Sequence, residues 1–101
     1  MGFPPPPSLL QVLEGVHTER LNYLRGLLEA LTPEKRLAVV IVERDGFPVL
    51  SVVRVVDSWS LIIECRYDQG DWWFGVQGRE SFARADHPAT AAQKVKEGMR
   101  L

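Results

Sequence analysis

DWWFGVQG, residues 71 to 78, sets two tryptophans and a phenylalanine side by side in a chain that otherwise uses aromatic residues sparingly. A β-strand presents successive side chains to opposite faces. Trp72 and Phe74 therefore share one face, and Trp73 looks out from the other. A strand of this kind needs apolar company on both sides, so the fold turns on what each side meets.

Upstream of this tract, runs rich in Val and Ile alternate with turn residues: LAVVIVER, DGFP, VLSVVRVV, DSW, SLIIECRY and DQGD. β-branched runs punctuated by Asp, Gly and Ser read as strands joined by hairpins. Gly78-Arg79 turns the chain once more, into a short fifth strand over Glu80 to Arg84. With Asp45-Gly46 as a two-residue turn and four-residue loops at the next two connections, one register follows. It places Leu37, Val39, Ile41, Leu50, Val52, Leu61, Ile63, Cys65, Tyr67, Trp72, Phe74 and Val76 on one face, with Glu43 and Arg54 at its margin. The opposite face carries Ala38, Val40, Val42, Val49, Val53, Val55, Ile62 and Trp73, interrupted by Ser51, Glu64, Arg66 and Gln77.

Helical patterning flanks the strands. Pro4 to Pro7 form an extended, polyproline-like start, and Ser8-Leu9-Leu10-Gln11 has the form of a capping box. Leu10, Leu13, Val16, Leu21, Leu24, Leu27, Leu28 and Leu31 then follow a 3.6-residue period as far as Thr32-Pro33. At the other end, DHPATAAQKVKEGM offers Asp86 or His87 as N-cap, Pro88 in the first turn, and Ala91, Ala92, Val95 and Met99 on one face. The expected fold is α+β: a long N-terminal amphipathic helix, a four- to five-stranded antiparallel meander and a short C-terminal helix. Residues 1–7 read as a Pro-rich extended N-terminus and 8–101 as a single domain, because 101 residues support one core.

Composition narrows the function classes. A net charge of -1, with acids and bases intermixed, supplies no field for nucleic acid or an anionic membrane surface. Arg44, Arg66, Arg79 and Arg84 beside Trp73 and Phe82 mimic a single-strand binder, but the acids among them cancel the charge. No segment is apolar for the length of a bilayer, the first residues lack a signal-peptide pattern, and Pro6 stands where a myristoylation motif needs Ser or Thr. Cys65 is the only cysteine, which excludes an internal disulfide and points to the cytoplasm.

Chemistry-bearing patterns are missing. Cys65 falls on the core face and reads as an inert thiol. His17 and His87 have no nucleophile or carboxylate at an informative spacing, and a zinc site would need further ligands. The glycines of GDWWFGVQG do not match G-x-G-x-x-G, and Glu64, Asp68, Asp71 and Glu80 read as solvated acids. No catalytic residue, cofactor or metal is expected.

Two functional readings remain. The first is a non-enzymatic interaction module, a homodimer or a subunit for another protein, docking through Val40, Val42, Val53, Ile62 and Trp73 with Glu64 and Arg66 setting polar register. It needs the second sheet face to stay open; a closing helix laid on that side would instead give a helix–sheet–helix sandwich. The second is a small-ligand or enzymatic domain of cystatin-like, open-cone type. Its pocket would lie between the first helix and the sheet, lined by His17, Tyr67, Trp72 and Phe74, with Gly75 or Gly78 supplying the bulge that curls the sheet.

The paired Val-rich strands over Leu37 to Val56, the Gly70 to Phe74 tract and the Ala-rich segment Asp86 to Val95 resemble a group of small uncharacterised actinobacterial proteins. Those carry further tryptophans where this chain has Gly75-Val76-Gln77-Gly78. The resemblance implies a bacterial cytosolic setting and no particular reaction. By fold alone, a helix followed by an antiparallel meander is also similar to cystatin-like and secretion-chaperone-like domains.

Overall fold

A computed structural model describes residues 17–101. The expected helix start at Ser8, its capping box and the Pro4 to Pro7 segment lie outside the described residues. Within them the order is α1 (Thr18–Leu31), β1 (Leu37–Arg44), β2 (Phe47–Arg54), β3 (Ser60–Asp68), β4 (Asp71–Val76), β5 (Ser81–Arg84) and α2 (Pro88–Gly98). The strands form one antiparallel meander in sequence order. Among the described residues no helix is long and apolar enough to cross a membrane.

Turn chemistry sets the register. Asp45 and Gly46 both have positive φ, 53° and 84°, as a two-residue I′ turn requires, and Arg44 pairs with Phe47 across it. Gln69 and Gly70 repeat the geometry at 51° and 85°. The expected four-residue loop between β3 and β4 is thus a two-residue turn closed by an extra pair, Asp68 with Asp71. The ladder lengthens without changing parity, because Tyr67 still faces Trp72. Between β2 and β3 the loop is Val55 to Trp59, with the Arg54 N–H donating to Trp59 O at 2.7 Å. Val55 and Val56, expected at the end of a strand, are exposed in this loop.

Most of the core lies on the face the register assigned, but Tyr67, expected on that face, is 61% exposed, and Val49, expected on the other, is buried. Leu50, Val52, Ile63 and Phe74 are fully buried beneath Leu24, Leu27 and Leu31 of α1. Ala91, Ala92, Val95 and Met99 of α2 join the same cluster, so both helices cover one face of the sheet. The helix–sheet–helix sandwich is therefore not the arrangement. Laid on the other face, the Ala- and Val-rich stripe of α2 would bury the charged groups of Glu64, Arg66 and Arg84, which costs several kcal/mol per unpaired ion. Beside α1 it meets only apolar surface, and Pro88 packs against Gly26 without crowding.

One irregularity breaks the meander. The β4–β5 register slips between Phe74 and Gly75, where Phe82 is the extra residue on β5. It leaves Phe82 half-buried at the margin of the helix-covered core.

Candidate functional site

Trp72, Trp73 and Phe74 have three different environments. Phe74 is fully buried in the core. Trp72 is half-buried on the same face; its Nε1 donates to Glu19 Oε2 at 2.8 Å, and Tyr67 and Tyr23 lie 5.3 and 5.9 Å from its ring. Trp73 stands on the opposite face between Arg66 of β3 and Arg84 of β5. The Arg84 guanidinium lies 5.6 Å from the Trp73 ring and is held by Asp71 and Asp86.

The second face divides into a polar and an apolar half. At the β3–β5 side, Arg66 donates to Glu64 Oε1 and Val76 O at 2.9 Å, and to Arg79 O at 2.7 Å. Its guanidinium lies flat over Gly75, where an added Cβ would come within 2.6 Å of Arg66 Cζ. Glu64 and Arg66 thus serve each other and the β4–β5 turn, and only glycine leaves room for them. At the β1–β2 side, Val40 is 54% and Val42 37% exposed, while Val53 and Ile62 are half-buried. Nothing charged separates these four side chains along the strands, apart from the rim residues at the strand ends.

The edge of β1 adds a second feature. The residues flanking a two-residue turn exchange both hydrogen bonds, and bonded pairs then alternate along the ladder. Arg44, Val42, Val40 and Ala38 therefore bond toward β2, which leaves the N–H and C=O groups of Val39, Ile41 and Glu43 pointing outward. Among the described residues no hydrogen bond is made to these outward groups. β5, the other edge, is short and bulged, and carries Arg84; β1 has eight residues and no charge before Glu43.

Three residues of the alternative pocket, His17, Tyr67 and Trp72, gather at the α1 end of β3 and β4. Arg20, which the sequence pattern did not single out, joins His17 to Trp72. Arg20 Nη1 is 3.0 Å from His17 Nδ1, and its guanidinium lies 4.9 Å from the Phe47 ring and 5.5 Å from that of Trp72. Tyr67 is exposed and lines a cavity of about 250 Å³ with Arg20, Phe47 and Pro48. Phe74 has no exposed surface with which to line one.

Arg20 compensates for a proline. The β2–β3 ladder ends at Leu50 with Ile63. One further step would set Pro48 opposite Cys65, and parity would aim the Cys65 carbonyl at an N–H that proline lacks. Arg20 Nε donates to Cys65 O at 2.8 Å in its place. Proline within a strand is the signal that could have located this point in the sequence. Replacing Arg20 with Met is expected to cost about 1 to 3 kcal/mol, the range for an orphaned buried carbonyl. In a Pro48→Val background the cost should shrink, since the new N–H can serve Cys65. Urea melts of the four proteins test this, and an unchanged cost in the second background would refute it.

The remaining candidates for chemistry are inert or scattered. Cys65 is buried, and burial pushes its thiol up to about 12, with Arg20 pulling weakly the other way. It is therefore a protonated, poorly nucleophilic group at neutral pH. His87 occupies the N-cap of α2 without a side-chain capping bond. Among the described residues no three His, Cys, Asp or Glu side chains converge as a metal site would require. No protein-family model matches the chain, and no curated protein or solved structure is significantly similar to it.

Proposed function

We propose that the protein is a non-enzymatic interaction module whose first partner is a second copy of itself, joined through β1. The observation that carries this reading is the coincidence, among the described residues, of an unpaired backbone row on β1 with the most open apolar part of the second face. An antiparallel β1–β1 pairing aligns outward groups with outward groups, so both strands satisfy their row at once. Centred on Val40, it sets Val40 against Val40 of the second copy and Val42 against Ala38. The two open valine patches then become one, across a ten-stranded sheet.

This reading takes a narrower docking set than the one expected from sequence. Val40 and Val42 belong to the interface, Val53 and Ile62 to its flank, and Glu64, Arg66 and Trp73 lie beyond it with partners of their own. A bacterial cytosolic setting, implied by the sequence resemblance and compatible with a single thiol, completes the proposal.

Sedimentation equilibrium at tens of micromolar is expected to show a dimer. Val40→Lys should shift it to monomer with little change in melting temperature, since a lysine on an edge strand opposes pairing and the site is exposed. Val55→Lys, on an equally exposed loop valine, should leave the dimer intact. A monomeric parent protein would overturn the proposal. So would dissociation by Trp73→Ala, which would favour face-to-face packing instead.

A further inference from the structure

We propose that the concave surface around the C-terminal end of α2 binds an organic anion with an apolar arm: a carboxylate or phosphate monoester on an aliphatic or aromatic body. This site is separate from the β1 edge and does not depend on the dimer. A cavity of about 440 Å³ is lined by Arg54, Trp59, Arg79, Gly98 and Arg100. It shares Trp59, Arg79 and Gly98 with a neighbouring cavity of about 270 Å³ whose further walls include Leu61, Val76, Phe82 and Val95. Three guanidinium groups thus adjoin an apolar groove, and together the two volumes suit a small ligand.

The charges here are not equivalent. Arg54 is committed: it donates to both Asp57 oxygens at 2.9 and 2.6 Å and to Met99 O at 2.6 Å, and it lies 5.2 Å from the Trp59 ring. Those bonds, with one from the Trp59 N–H, hold the Asp57 carboxyl down at about 2, so Asp57 stays ionised and is paired with Arg54. Arg79 and Arg100 have no side-chain partner among the described residues. Glu80 is the other acid on the groove, and Lys94, whose Nζ donates to Phe82 O at 2.8 Å, offsets it. Of the carbonyls at the end of α2, which would repel an anion, Glu97 O and Val95 O accept from the Met99 N–H, and just beyond the helix Met99 O accepts from Arg54.

Two uncompensated guanidinium groups on a partly apolar wall favour planar or tetrahedral oxyanions, which accept in forked geometry. Trp59, 44% exposed, and Phe82 select among such anions for one with an apolar body. Gly98 keeps the passage between the two cavities open. A Cβ built there meets nothing within 4 Å, so a larger side chain would fill the passage without disturbing the helix.

The test is titration of the full chain with phenyl phosphate, inorganic phosphate and benzyl alcohol, followed by the amide and Trp59 indole N–H signals. Phenyl phosphate should give saturable shifts at Trp59 and Gly98, inorganic phosphate should bind at least about tenfold more weakly, and the neutral alcohol should shift neither. Arg79→Gln with Arg100→Gln should remove phosphate-dependent binding, and Gly98→Leu should block phenyl phosphate while sparing inorganic phosphate. Both sites are exposed, and unchanged amide spectra elsewhere report that the fold is kept. Equal binding of the two phosphates would overturn the apolar-arm assignment. Binding that survives the double arginine substitution would overturn the site.

Discussion

Phe74→Ala is expected to remove about 3 to 5 kcal/mol of stability, the largest single loss expected among the described residues. Phe74 has no exposed surface and belongs to the same buried cluster as Leu24, Leu27 and Ile63, so truncation leaves a cavity that close-packed neighbours only partly close. A domain of this size has roughly 5 to 15 kcal/mol in all. Its neighbours in sequence should behave differently. Trp72→Phe loses one hydrogen bond to Glu19, worth about 1 kcal/mol. Trp73→Ala gives up a half-exposed ring and its contact with Arg84, which at such a site contributes about 0.5 to 1 kcal/mol beyond burial. Urea denaturation of the three variants should place Phe74→Ala well above the other two, and a Trp73→Ala cost equal to that of Phe74→Ala would contradict the assignment of faces.

The second large effect is expected at Gly75. Gly75→Ala forces the Arg66 guanidinium out of its seat, since the new Cβ would meet both Cζ and Nη1. The displaced group loses its bonds to Val76 O, Arg79 O and Glu64, and the β4–β5 turn loses what ties it to β3. Several charge-assisted bonds are at stake, discounted because the pair is about one-third exposed, and a cost of about 2 kcal/mol follows. Arg66→Ala should make Gly75→Ala nearly harmless, because its obstacle is gone. The coupling in this double-mutant cycle is therefore expected at about 1 to 2 kcal/mol. Simple additivity would mean that Gly75 matters for the bulge and not for Arg66.

How much of this was legible beforehand varies by feature. The Asp45-Gly46 turn and the alternation of valines with polar residues were enough for the register, and an unexpected two-residue turn at Gln69-Gly70 left it unchanged because it preserves parity. The apolar part of the candidate interface, Val40 and Val42, was legible for the same reason. Glu64 and Arg66 were read as interface polar groups, since no local pattern tells that an arginine two residues from a glutamate will fold over a glycine of the next strand. Arg20 escaped notice because its partner is a carbonyl 45 residues away, exposed by a proline whose effect depends on which strand lies beside it. The cluster of Arg54, Arg79 and Arg100 likewise joins three segments that have no common sequence pattern.

Taken alone, the sequence determined what is periodic: strand faces, turn positions and the apolar stripes of both helices, because backbone geometry repeats every two or 3.6 residues whatever surrounds it. Tertiary structure alone decided which side α2 would take, where the ladder between β2 and β3 would stop, and which arginines would be left without an acid. Those outcomes depend on side chains meeting from distant segments, where desolvation of Glu64, Arg66 and Arg84 outweighs any local preference and leaves the valine face of β1 open.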